Sequence, residues 1–200
     1  MKALRNLLVT IVLLCSTSCG IATLKFPDYT YVRLNDANPV RTIKKLHIPP
    51  PVWQTAQIDD QEQAGWLAAH SPGQRASFTE DMRRFELAMQ EGVDRFHTRW
   101  SPHIALAAGP SADAHTLAVK VETIRLGWFA GTFFSGATYV TYAVELKDPE
   151  GQVVESFTSR EEVPNGLASG TRLVYAGRGV GIALEHYLKA RTRGHTQAGP

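Results

Sequence analysis

The stretch SFTEDMRRFELAMQEGVDRFHTRW, Ser77 to Trp100, decides the fold. Phe78, Met82, Phe85, Met89, Val93, Phe96 and Trp100 recur at steps of four and three, which lays one apolar stripe along a helix of about six turns. Ser77 and Glu80 have the spacing of a capping box at its start, and Ser101-Pro102 ends it. The other face alternates in charge, with Glu91 one turn before Arg95, a solvated pair worth about 0.3–0.5 kcal/mol. Asp81, Glu86, Asp94 and His97 fall among these charges and read as a solvated face, not as a site.

Downstream, His103 to Thr116 is rich in Ala, Gly, Pro and Ser and reads as a loop. Leu117, Val119 and Val121 then alternate with Lys120 and Glu122, and Val140, Tyr142, Val144 and Leu146 alternate with Thr141 and Glu145, so each of these strands has one buried face. Asp148-Pro149-Glu150-Gly151 is a turn into a third strand, Val153 to Glu161. Thr171 to Arg191 reads as a closing helix with Leu173, Gly177, Val180, Gly181, Leu184 and Leu188 on one face and Gly194 as its stop. Gly177, Gly179 and Gly181 cost about 1 kcal/mol each inside a helix. The expectation is that Gly177 and Gly181 bring the helix backbone close to the sheet while Gly179 faces solvent.

Upstream, Ile43 to Ile48 reads as a core strand stopped by Pro49-Pro50-Pro51. A short helix is expected from about Asp60, with a break at Ser71-Pro72-Gly73, and an alternating piece at Tyr29 to Leu34 suggests one further strand. The whole predicts an α+β two-layer sandwich, strand-helix-strand-strand-strand-helix, with helices on one face of a mostly antiparallel sheet.

The first residues are of another kind. Lys2 and Arg5 precede an apolar run from Leu7 to Leu14, too short to span a bilayer, and Ser16-Thr17-Ser18-Cys19 follows. This resembles the lipobox of bacterial lipoproteins, which implies that Cys19 takes a diacylglycerol and becomes the mature N-terminus. Ser16 stands where lipoboxes usually carry Leu, Val or Ile, and Ser16 with Ser18 also suits an ordinary secretory peptidase, whose product would be a soluble periplasmic protein. The expected layout is a signal peptide over 1–18, a lipidated tether over 19–40, one α+β domain over 41–193 and a frayed tail over 194–200.

Loss of Lys2 and Arg5 from the 21 basic residues leaves them matched to the 19 acidic ones, so there is no basic field for nucleic acid. With Cys15 removed and Cys19 acylated, no disulfide forms within the chain, and packing alone must hold the core. The seven histidines show no metal-ligand spacing, and neither a Gly-x-Ser-x-Gly elbow nor a Ser-x-x-Lys pair occurs in the mature chain. Gly177-Arg178-Gly179-Val180-Gly181 lacks the strand that must precede a dinucleotide fingerprint. No catalytic residue, metal or cofactor is therefore nominated.

Gly127 to Gly136 stands apart, with Trp128, Phe129, Phe133 and Phe134 between two strands. Either these aromatics fold back over the core as a long hairpin or they form an exposed apolar surface for a partner or the membrane.

The element order, with the glycine-rich connection and the Asp148 to Gly151 turn, resembles a group of small bacterial outer-membrane lipoproteins of unassigned function. These are similar in topology to the amino-terminal domain of the Tol-system translocation protein and to the curli-secretion lipoprotein. The resemblance implies a periplasm-facing outer-membrane protein, lipid-anchored and non-catalytic, working by contact with another protein or with itself in envelope assembly or maintenance. A carrier or sensor of an apolar ligand is the alternative, and an envelope hydrolase the third.

Overall fold

The computed structural model describes residues 29–127, 136–164 and 169–194. Three long strands, β6 (His115–Arg125), β7 (Thr138–Lys147) and β8 (Val153–Val163), form an antiparallel meander, and two long helices, α2 (Pro72–Trp100) and α3 (Ser169–Thr192), cover one of its faces. This is the α+β sandwich that the hydrophobic patterns predict. Along β7 every second residue, Thr138, Val140, Tyr142, Val144 and Leu146, is buried under the helices. Gly151, at φ +83°, closes the β7–β8 turn, where Asp148 accepts from the Gly151 and Gln152 backbone.

The sheet is mostly antiparallel, as expected, but mixed. β2 (Lys45–His47), β3 (Gln57–Ile58) and the Val52 bridge lie one after another along β6, all parallel to it. Pro49, Pro50 and Pro51 lack donors, so the segment from 45 to 58 touches β6 in three short pieces instead of one long strand. The expected strand over 43–48 is thus reduced to three residues, with Ile43 and Leu46 buried. The segment read as a loop contains β5 (Ala105–Ala107), parallel to β2, and β4 (Gln61–Glu62) pairs with β3. At the opposite edge β1 (Thr30–Arg33) pairs with β8, and the Tyr29 hydroxyl donates to the Ala183 carbonyl of α3 at 2.7 Å.

Helix α2 begins earlier than its stripe suggests. Ser71 is its N-cap, with a reciprocal capping box to Gln74 and Pro72 in the first turn, so Ser71-Pro72-Gly73 opens the helix and does not break the chain. The short helix α1 (Gln63–Ala68) precedes it. Phe78, Met82, Phe85, Met89 and Val93 are buried as expected, whereas Phe96 and Trp100 are half-buried and stack on each other at 4.4 Å. His97 takes the inward place at that end, and Glu91 pairs across to Arg178 of α3 at 2.8 Å, not along its own helix.

The glycines of α3 serve a contact other than the expected one. A Cβ on Gly177 would collide with the Phe85 carbonyl, and one on Gly181 with the Met89 carbonyl, while a Cβ on Gly92 would stand 2.5 Å from the Arg178 carbonyl oxygen. Gly177, Gly181 and Gly92 therefore bring α3 against α2, backbone to backbone, with the two helices running in the same direction. Gly179 does not face solvent: a Cβ there would stand 2.5 Å from a carboxyl oxygen of Glu161 on β8. Alternate glycines of one helix thus face its two neighbours, helix and sheet.

Candidate functional site

Cys19 and the aromatics Trp128, Phe129, Phe133 and Phe134 lie outside the described residues. The flanks of the aromatic segment are described, and they form a neck. Gly127 has φ +70°, and a Cβ on it would run into the Gly136 and Ala137 carbonyls, so only glycine fits where the two flanks meet. Leu126 N–H donates to Asp59 at 2.9 Å, the Thr138 hydroxyl donates to the Leu126 carbonyl at 2.8 Å, and Arg172 Nη1 donates to the Gly136 carbonyl. Side chains from three directions therefore hold the points where the segment leaves and rejoins the sheet.

Beside this neck opens a cleft of about 550 Å³. Its walls come from α1 (Trp66, with His70 just beyond), the first turns of α2 (Ser71, Gln74, Ser77, Phe78 and Asp81), the end of β6 (Leu126) and the first turns of α3 (Leu173). Trp66 stacks on His70 at 3.8 Å between centroids and packs on Phe78 at 5.0 Å. Much of the polar lining is already engaged. His70 Nδ1 bonds the Trp66 carbonyl at 2.7 Å, and Ser71 and Gln74 cap each other at the start of α2. Asp81 lies against Gly170 in the first turn of α3, where a carboxylate complements the helix dipole, and burial raises its pKa. What the cleft presents is mainly the apolar surface of Trp66, Phe78, Leu126 and Leu173.

Two of the four charged α2 residues read as solvated have partners in the fold, and a third lies in the cleft. His97 Nε2–H donates to the Ile104 carbonyl at 2.7 Å, and its Nδ1 lies 2.8 Å from Glu185 of α3. Burial raises the Glu185 pKa, and His97 and Ser101 beside it work in the opposite direction. Glu86 accepts from Trp53 Nε1 at 2.9 Å, and Asp81 lines the cleft, leaving Asp94 as the exposed one of the four. A stripe of large apolar residues does not register a polar side chain with a buried partner on another helix, so His97 escapes the periodic pattern.

Further polar groups are held inside the sandwich, away from the cleft. Glu155 of β8 accepts from Arg191 Nε at 3.2 Å, from Arg191 Nη2 and from the Tyr187 hydroxyl at 2.5 Å. Glu161, under Gly179, has its pKa pushed up to about 7 by burial, against the opposing effect of the neighbouring Tyr142 phenol. Tyr142 is itself raised by the same burial. Among the described residues no group of three or more His, Cys, Asp or Glu could hold a metal ion, and no helix is long and apolar enough to cross a membrane.

No family model matches the chain. No curated protein matches it either. Among solved structures, a PelC dodecamer from Paraburkholderia phytofirmans is similar at 13% identity, over 80% of this chain and 97% of that one, with a TM-score of 0.37. A Xanthomonas campestris protein described with the family DUF330 is similar at 15% identity, over 76% of this chain and 87% of that one, with a TM-score of 0.44. These neighbours do not establish a family for this chain, and they do not show the Tol-system or curli likeness that the element order suggests.

Proposed function

We propose that this protein is held at the periplasmic face of the outer membrane by lipid on Cys19 and acts without catalysis, by contact with a partner protein or a second copy. The working end is the one where the cleft opens. One observation carries this reading: a cleft whose polar lining is largely committed to helix ends adjoins Gly127 and Gly136, the fixed ends of the segment whose sequence contains Trp128, Phe129, Phe133 and Phe134. Apolar surface gathered at one end of a sandwich favours association, at about 25 cal/mol per Å² removed from water.

Changing Trp128 and Phe133 together to Ser is expected to abolish co-purification or self-association while leaving the unfolding midpoint nearly unchanged. A loss of several kcal/mol of stability would mean that the aromatics fill the core, in the range of buried aromatic truncation, and would remove this surface. Intact mass of the mature protein reports the anchor: a diacylated N-terminal Cys19 is expected, and Cys19→Ala should release or stall the protein. An unmodified mature N-terminus would leave the soluble periplasmic form.

A second reading, a carrier of an apolar ligand, is favoured by the cleft volume, which lies within the range of about 300–1,000 Å³ of small-molecule sites. Ligand extracted with the purified protein would separate it from the first.

A further inference from the structure

Helix α3 carries two fully buried arginines, and they are treated differently. Arg191 is ion-paired with Glu155 through two of its nitrogens and reaches the Asn35 carbonyl at 2.7 Å, and among the described residues only its Nη1 is buried without a partner. Arg172 has one bond, from Nη1 to the Gly136 carbonyl, and no carboxylate forms an ion pair with it among the described residues. Its Nε and Nη2 are buried and have no partner among the described residues.

Those two nitrogens are not an arbitrary pair. Nε–H and the neighbouring Nη2–H point the same way from one edge of the planar guanidinium, the edge that receives two oxygens of a carboxylate or phosphate in parallel. The bond from Nη1 to Gly136 holds the opposite side and fixes the orientation of that edge. A buried guanidinium with open donors is costly to a fold, and a cation in the first turn of a helix is also opposed by the helix dipole. A purely structural role would be filled better by a neutral side chain. Place matters as well: Leu173, next in sequence, lines the cleft, and Gly136 packs on Gly127 beside Leu126, which lines it too.

We propose that Arg172 is a receptor for an oxyanion, a carboxylate or phosphate group bound side-on by Nε and Nη2 behind the rim of the cleft. The site depends on neither reading above, since a free anion, the acidic head of an amphiphile and an acidic group of a partner share this chemistry.

The test is thermal unfolding of the full mature chain titrated with inorganic phosphate and, separately, with dodecanoate, against sodium chloride at equal ionic strength. Wild type and Arg178→Gln, a control at a half-buried arginine paired with Glu91, should show a saturable rise in midpoint. Arg172→Gln should lose it, and Arg172→Lys, which has no fork, should need at least tenfold more ligand. A response to phosphate alone would identify a free oxyanion, and a response confined to dodecanoate the head of an amphiphile whose chain uses the cleft. Absence of a saturable rise with either probe in wild type, or an equal rise in Arg172→Gln, would overturn the proposal. Should the Gln variant fail to fold, the tenfold difference in the Lys variant decides.

Discussion

The two ends of α3 are built on different principles. At its C-terminal end, Arg191, Glu155 and Tyr187 form a buried polar knot that also holds the chain entering the fold: Arg191 bonds the Asn35 carbonyl, and Asn38 Nδ2 donates to the Arg191 carbonyl at 2.6 Å. His97–Glu185 ties the same half of the helix to α2. At its N-terminal end, Arg172 keeps a buried edge that is unpaired among the described residues, Asp81 of α2 lies against the first turn, and a cleft and a glycine neck adjoin. One helix is thus a stability element at one end and a receptor at the other. Buried charge is ion-paired in the first place, with Arg191 Nη1 left over, and among the described residues has no carboxylate partner in the second.

The largest effect belongs to the closed end. Arg191→Gln strands the Glu155 carboxylate in the interior, and breaking a buried pair from one side costs about 3–5 kcal/mol. Urea unfolding at neutral pH measures it, and a loss within about 1 kcal/mol, the size of a surface ion pair, would break the comparison.

Next comes the middle of the helix. Gly181→Leu must push Met89 and Gly92 of α2 away at backbone level and is expected to cost about 1–3 kcal/mol or more. Gly179→Leu meets the end of a Glu161 side chain that can turn aside, so its cost should be clearly smaller. Equal midpoints for the two variants would mean that α2 and α3 do not approach through these glycines.

That ordering was legible in the sequence, but its cause was not. Three glycines within one apolar helical pattern require a close approach, yet only the tertiary arrangement says whether Gly177 and Gly181 face sheet or helix. The long strands, the turn at Asp148 to Gly151 and both long helices could be read because period and punctuation are local properties. The parallel pieces at β3 and β5 could not, since two or three residues carry no period, and at β2 the strand was legible while its parallel pairing and its short length were not. The cleft was hidden for a similar reason. Trp66, Phe78, Leu126 and Leu173 come from four places in the chain, and Ser71-Pro72-Gly73 read as a break when it is the N-terminus of α2. Arg172 gave no signal, since a basic residue near a helix start carries no mark of burial.

A smaller effect, of the order of 1–3 kcal/mol, is tied to pH at Glu161, which lies under the middle of α3. Its pKa is about 7 in the folded chain against 4.5 as the ordinary value, so between these limits the folded state holds a proton that the unfolded state has released. The contribution is complete below pH 4.5 and is lost as pH rises through about 7. Glu161→Gln should flatten this part of the stability profile, seen as urea midpoints at about pH 5 and about pH 8 that differ less than in wild type. An unchanged profile would place the titrating group elsewhere.

The smallest expected effect is at Arg172. Without added oxyanion, Arg172→Gln should leave the unfolding free energy unchanged or slightly raised, because it removes a buried cation whose better edge has no partner. Measured beside Arg191→Gln in the same urea series, it should give a difference of about 3 kcal/mol or more between two fully buried arginines of one helix. A loss at Arg172 as large as that at Arg191 would show that both ends of α3 are structural knots and that Arg172 is not a receptor.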